Sequence, residues 1–317
     1  PDDIFMHAYN YIVIIFAGIP TVFLYNIVSG IIRSLGDSKT PVYFLVLSSV
    51  INIALDFILI LYVKMGVAGA GVATVVSQLI AGVGCTIYMY KKFDILKGTK
   101  QEKVISKKHI SNLCFIGVPM GLQYSITAIG STILQAAVNG LGSSYVAAMT
   151  AGSKMFNFTC CPFDALGSTM ATYGGQNVGA GKIDRLGKGI KAAMLIGAVY
   201  SVVALVVLYF SADYIALLFV DAGETAIIEL TRRFIMASAL FYIPLTGVNV
   251  YRFCIQGMGF SVFAILAGVF EMLARTLVIP HIGFNGACLA NPAAWIAADL
   301  FLIPAFIHCC NKLKRYE

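Results

Sequence analysis

Residues 41–63 read Pro41-Val-Tyr-Phe-Leu-Val-Leu-Ser-Ser-Val-Ile-Asn-Ile-Ala-Leu-Asp-Phe-Ile-Leu-Ile-Leu-Tyr-Val63, and Asp56 is the one charged group in the run. A stretch of this length and apolarity matches the roughly 20 residues an α-helix needs to cross a bilayer. Pro41 suits the first turn of such a helix, where its missing N–H leaves no bond unmade. Reading outward, similar runs fall at about 9–32, 41–63, 67–90, 111–139, 145–172, 190–210, 234–256, 262–281 and 284–309. Most are too long for strands, and none shows the alternating ten-residue segments of a membrane β-barrel. Over 317 residues, 59% are apolar and 12% charged, with mean hydropathy +0.85. A soluble domain carries about 25% charged residues, so soluble enzymes, disordered tails and nucleic-acid modules are excluded. The expected fold is an all-α integral membrane protein, a polytopic helical bundle.

Lysine and arginine set the expected orientation. With the 33–40 loop placed inside and the spans alternating, 17 basic residues fall on the inner face and 3 on the outer. The inner set runs through Arg33, Lys91, Lys92, Lys107, Lys182, Arg252 and Arg315; the outer set is Lys64, Arg232 and Arg233. The positive-inside rule then puts the C-terminus in the cytoplasm and residue 1 outside, in the cell membrane. The net charge of +7 is a topology signal, with no nucleic-acid partner implied. The eight cysteines lie mostly in apolar runs without CxxC or Cys/His spacing and read as small buried hydrophobes.

Tyr9–Lys91 resembles Arg232–Asn311. Ile19-Pro20 aligns with Ile243-Pro244, Leu35-Gly36-Asp37-Ser38 with Met258-Gly259-Phe260-Ser261, and Gly69-Ala70-Gly71 with Gly286-Ala287-Cys288. The expected domains are a three-helix first bundle (1–92), a basic cytoplasmic linker (93–109) and a six-helix second bundle (110–317). Two same-orientation repeats imply equal bundles, so about three helices are expected before residue 1. Parallel repeats of this kind are a transporter signature.

Four motifs carry a resemblance to the multidrug and toxic compound extrusion (MATE) transporters. They are Arg33-Ser-Leu-Gly-Asp-Ser-Lys-Thr-Pro41, Gly66-Val-Ala-Gly-Ala-Gly-Val-Ala-Thr74, Gly117-Val-Pro-Met-Gly121 and Gln176-Asn-Val-Gly-Ala-Gly-Lys-Ile-Asp-Arg185. The resemblance implies two pseudo-symmetric bundles around a central cavity, with this chain running from the family's fourth helix to its twelfth.

Ionisable groups inside spans are costly and face a cavity or a partner. Asn52 and Asp56, four apart, share one helix face. Asp56 lies about 9 Å from the outer end of its span, and Thr74 about 10 Å into the next, antiparallel span. Oxygens of this kind suit Na+ or a shuttled proton; the alternative is a cluster that only locks two helices. In sodium-binding members that the chain resembles, an Asn-x-x-x-Asp on the fifth helix and a Thr on the sixth hold the cation, matching Asn52, Asp56 and Thr74. An Asp on the first helix completes that site and would precede residue 1. In the repeat, Asn52 and Asp56 fall on Glu271 and Arg275, and Thr74 on Asn291. Glu271 and Arg275 are expected to form a structural ion pair, either as a fixed replacement for a mobile cation or as a plain salt bridge. Another branch of the family couples through acids on its seventh and tenth helices; 111–139 and 234–256 have none.

Lys154 and Asp164 either line the cavity or pair elsewhere, and Asp299 reads as a structural partner. By family position, Gln123, Tyr124, Asn139, Asn157 and Asn249 are cavity candidates. Phosphate-loop and Gly-x-Ser-x-Gly signatures are absent from the sequence, so no enzyme activity and no cofactor beyond a coupling ion is expected. The expected function is secondary antiport of cationic or amphipathic organic compounds against Na+ or H+, by a monomer whose partners are small organic substrates and the bilayer. The rivals are a lipid or lipid-linked oligosaccharide flippase of the same superfamily and, from another class, a membrane receptor or membrane-embedded enzyme.

Overall fold

Helix α7 (Asp184–Ala216) shows why these sequences fold as they do. Leu186, Ile190, Ala193, Gly197, Ser201, Ala204 and Leu208, spaced three or four apart, are buried on one face. The opposite face is equally apolar yet exposed, with Leu195, Val199, Val203 and Phe210 between 54% and 73% accessible. A helix apolar all round belongs in a large core or a bilayer. Here the inner face meets protein and the outer face is left for lipid.

The structure is a computed structural model describing residues 2–97, 106–217, 219–220 and 223–315, the side chains of 2–4 and 278–282 excepted. The middle of the basic linker, Lys100 and Lys103 included, lies outside the described residues. The other helices are α1 (Asp2–Ala17), α2 (Ile19–Ser34), α3 (Lys39–Phe57), α4 (Val67–Lys92), α5 (Lys107–Asn139), α6 (Ser143–Gly179), α8 (Thr225–Ala239), α9 (Tyr242–Gly257) and α10 (Ser261–Lys314). A π-helical turn, Ile58–Tyr62, extends α3, and no strand occurs among the described residues. The chain divides into two compact units, Pro1–Ile105 and Ser106–Glu317.

Helix occupies each of the nine stretches expected to span, but the match is not one straight helix per span. Six described helical stretches are long and apolar enough to cross a membrane, and α8 with α9, bent by 50°, makes a seventh if taken together. The stretch placed at 234–256 begins earlier, at Thr225, and breaks before Tyr242. Helix α6 has ample length, 37 residues, but is too polar to qualify by composition. Its polar side chains face a cavity described below.

The internal repeat is visible in the backbone. Gly36 and Gly259, aligned in sequence, have φ of 94° and 90°. Gly66 (φ 58°, ψ −139°) and Gly283 (φ 60°, ψ −137°) share a conformation that a Cβ would strain, each where the second span of the repeat gives way to the third. Pro20 and Pro244, the other aligned pair, sit just inside α2 and α9, where a missing N–H is tolerated. Both follow a break in the preceding helix.

Each unit has its own core. In the first, Tyr25, Val28, Ile32, Ala81, Cys85 and Met89 pack α2 against α4. In the second, the larger cluster gathers Phe163, Leu186, Leu208, Tyr242, Ile255 and Leu302. Cys85, Cys254, Cys288 and Cys309 are buried free thiols, as small core hydrophobes would be, whereas Cys114 and Cys161 are exposed.

Asp37 ties the entrance of α3 to the end of α4. Its carboxylate accepts the Thr40 backbone N–H at 3.1 Å, the Tyr88 hydroxyl at 2.8 Å and the Lys92 ammonium at 3.1 Å. The Thr40 amide, then Tyr88, hold its pKa well below the ordinary carboxylate value. A depressed folded pKa adds stability above the unfolded value of about 4, lost as pH falls through that range. Thermal melts from pH 3 to 7 should show wild type losing stability below about pH 4 and Asp37→Asn losing less. At neutral pH, Asp37→Ala should cost about 1 kcal/mol, as for a helix cap.

Candidate functional site

The second unit lines an open cavity of about 730 Å³. On α5, Gln123, Tyr124, Thr127, Ser131, Leu134 and Gln135 face it at three- and four-residue spacings. On α6 the stripe is Met149, Ser153, Asn157, Cys160, Asp164 and Ser168. Helix α9 adds Asn249 and Arg252, and α10 adds Glu271, Arg275, Asn291 and Trp295. Trp295 stacks on Phe156 with centroids 5.7 Å apart and planes 12° from parallel.

Of the cavity candidates, Gln123, Tyr124, Asn157, Asp164 and Asn249 line it. Asn139 does not: it ends α5, and its side-chain oxygen accepts from Gln135 at 3.0 Å. Lys154 is also off the wall. It follows Ser153 by one residue, about 100° around the helix, and its ammonium lies 5.2 Å from the Phe219 ring centroid.

The buried charged residues at the cavity form an ionic cluster. Glu271 and Arg275 form the expected pair at 3.7 Å, one turn apart on α10. The closer partner of Glu271 is Arg252, which donates from Nη2 to Oε1. The exposures of Arg252, Glu271 and Arg275 are 7%, 2% and 5%. Counting Arg252 with the inner face was therefore a misplacement. Its Cα is five residues from the end of α9 and Glu271 is ten residues into α10, a depth difference of about 7 Å that an arginine side chain spans. The signal in the sequence was that Arg252 lies inside the apolar run 234–256 and not beyond its end. Arg275 also donates from Nε to Asn291 Oδ1 at 3.1 Å. The positions that align with Asn52, Asp56 and Thr74 are thus physically joined in the second unit. Gly130 makes room for this: a Cβ there would lie 3.2 Å from Arg275 Nη1.

In the first unit the corresponding groups are not joined. Asn52 and Asp56 share one face of α3, and Thr74 lies on the adjacent α4. Thr74 donates to its own helix, at Ala70 O, 3.0 Å away. Asn52 Nδ2 and Asp56 Oδ1 are buried without a hydrogen-bond partner among the described residues. Buried polar atoms are normally satisfied, and these two are exceptions. Asp299 Oδ1 is likewise unpartnered, and its carboxylate closes on Gly247, where a Cβ would stand 2.5 Å from Oδ2.

Comparison with known proteins follows the same lines. A family model described as MatE matches residues 1–58 and 119–280. The "Probable multidrug resistance protein YoeA" of Bacillus subtilis is 26% identical over 99% of this chain and 70% of its own length. A second B. subtilis protein, "Probable multidrug resistance protein YpnP", is 29% identical over 78% of this chain and 55% of its own. Among solved structures, the Vibrio cholerae MATE transporter VcmN in its bent form gives a TM-score of 0.88 at 18% identity, covering 100% of this chain and 72% of that one. An outward-facing multidrug resistance MATE transporter gives 0.87 at 18% identity, covering 96% and 70%. At such identities the structural likeness speaks for the fold.

Proposed function

This chain belongs to the MatE family, and from that premise we propose that it acts in secondary antiport, exporting amphipathic organic compounds, cationic ones among them, in exchange for Na+ or H+. Family membership makes it a membrane protein and not an enzyme. The relatives' names, both multidrug resistance proteins, support efflux as the direction and small organic molecules as the cargo. A cavity of about 730 Å³ lies within the 300–1,000 Å³ typical of small-ligand sites. Its exposed Asp164 suits a cationic substituent. The chain spans 55 to 70% of the length of the relatives above, so transport is a property proposed for the whole protein.

The observation that carries the coupling site is the buried, unpartnered Asp56 Oδ1 inside a membrane-length helix, with the side chain of Asn52 one turn away on the same face. In this reading the cation enters from outside, neutralises Asp56 and is held by oxygens of Asn52, Asp56 and Thr74. It drives export because it binds one state of the first unit more tightly than the other. The asymmetry of basic residues supports a cytoplasmic C-terminus and an outer residue 1; with Arg252 reassigned as buried, 16 still stand against 3.

The test is dye efflux by the full-length protein in vesicles, with Na+ and pH gradients imposed separately. One gradient should drive export, and Asp56→Asn should cut it by about tenfold or more, the size of a typical coupling energy. Export that needs neither gradient, or a fully active Asp56→Asn, would reject the reading.

A further inference from the structure

A second open cavity, of about 510 Å³, lies at the C-terminal end of α10. Among the described residues it is lined by His308, Asn311, Lys312 and Arg315, with no acid in the set. Their three- and four-residue spacing puts all four on one side of the helix. Lys312 and Arg315 form no ion pair among the described residues, whereas Lys314 between them is answered by Asp184.

The internal repeat shows what this joint lacks. In the first unit the turn at Gly36 (φ 94°) is followed by Asp37, whose carboxylate meets Lys92 in the last turn of α4 at 3.1 Å. In the second unit the matching turn at Gly259 (φ 90°) is followed by Phe260, at the place of Asp37. Lys312, in the last turn of α10, lies 5.5 Å from the Phe260 ring centroid. An aromatic face attracts an ammonium but carries no countercharge. The first unit thus supplies an anion here from its own chain, and the second, among the described residues, does not.

Depth decides which anion is at hand. The membrane-length stretch Gly283–Lys314 has 32 residues, about 48 Å of helix against a hydrocarbon core of about 30 Å. Its last turns therefore emerge into the headgroup layer. Leu300, Ile303 and Ile307, all exposed, run along α10 toward Asn311, which lies three turns from Leu300 on the same side. An apolar strip that leads into a basic cavity matches a phospholipid, with an acyl chain on the strip and the head group in the cavity.

We propose that this cavity seats the phosphate of an anionic membrane phospholipid, held by Lys312 and Arg315, with Asn311 and His308 as further hydrogen-bonding groups. The phosphate gives Lys312 the countercharge that Asp37 gives Lys92. Lipid binding here uses a surface apart from the transport cavity, so it stands or falls independently of the export reading.

The experiment uses the full-length protein in an uncharged maltoside detergent. Thermal melts would be followed with increasing dioleoylphosphatidylglycerol, dioleoylphosphatidylcholine or soluble glycerol 1-phosphate. The midpoint of stabilisation should come at about tenfold lower concentration for the glycerol lipid than for the choline lipid, because two basic side chains act on its net negative charge. Glycerol 1-phosphate, which lacks acyl chains, should not stabilise at the same concentrations. Lys312→Gln with Arg315→Gln, both at exposed positions, should erase most of the preference. Lys107→Gln with Lys108→Gln removes the same charge at the exposed start of α5 and should keep it. Phe260→Asp restores the acid of the first unit, at a helix N-cap where aspartate is favoured, and should lower the preference about threefold or more. Equal midpoints for the two lipids would overturn lipid binding at this site, as would glycerol 1-phosphate matching the glycerol lipid. So would a preference that survives the Lys312 and Arg315 pair or Phe260→Asp, or one lost equally in the Lys107 and Lys108 pair.

Discussion

Glu271→Ala should be among the most damaging single substitutions in this chain. It strands two guanidinium groups that are 93% and 95% buried and whose carboxylate partner at salt-bridge distance, among the described residues, is Glu271. Removing one member of a buried ion pair typically costs about 3–5 kcal/mol, because the remaining charge stays desolvated and unpaired. Two such charges remain here, on α9 and α10, so the loss should fall at the upper end of that range. Glu271→Gln keeps an acceptor oxygen and the shape while losing the charge, and should cost about half as much. Thermal melts of the detergent-solubilised protein, read by size-exclusion fluorescence, would show the ordering. If Glu271→Ala melts with wild type, the ionic cluster is not holding α9 against α10.

Gly257→Ala should be comparably harmful through backbone contact alone. A Cβ at Gly257 would come within 2.1 Å of Ala171 O and 2.8 Å of its carbonyl carbon. On the facing helix, a Cβ at Gly174 would meet Cys254 O at 2.9 Å. These small residues let α6 and α9 approach backbone to backbone, as membrane helices do when no hydrophobic force presses them together. No rotamer change relieves a clash with backbone, so the helices must separate. Overpacking of this kind costs about 1–3 kcal/mol and sometimes more. The separation would also carry Arg252 and Asn249 away from the α6 wall of the cavity, so efflux by the full-length protein should weaken along with the melting temperature. Gly187→Ala, with open space at its Cβ position, is the matched control and should change neither.

Much of this architecture was legible from one sequence because lipid imposes a simple demand. Backbone polar groups in a bilayer must be satisfied within the segment, so apolar runs of membrane length become helices wherever they fall. The run from Pro41 to Val63 needed no neighbour to declare itself. The repeat was equally local in origin: Gly36 and Gly259, and Gly66 and Gly283, occupy conformations that glycine adopts freely, so sequence alignment anticipated matching φ values. The run at 145–172 became α6, whose polar stripe faces a cavity, whereas the run at 234–256 became parts of two helices, α8 and α9, bent against each other.

At the candidate sites the division is sharper. Sequence alone determined that Asp56, Asp164, Glu271 and Arg275 sit at costly depth and that Asn52 shares a face with Asp56, since helical spacing fixes both. Tertiary structure decided who answers each charge. Arg252 reaches Glu271 because α9 and α10 lie side by side, Arg275 reaches Asn291 across the break at Gly283, and Lys154 turns away toward Phe219. Pairing depends on distances between segments far apart in the chain, and one-dimensional spacing carries no information about them. For the same reason, only the folded chain could show that Asn52 and Asp56 keep unsatisfied atoms while their repeat counterparts are tied together.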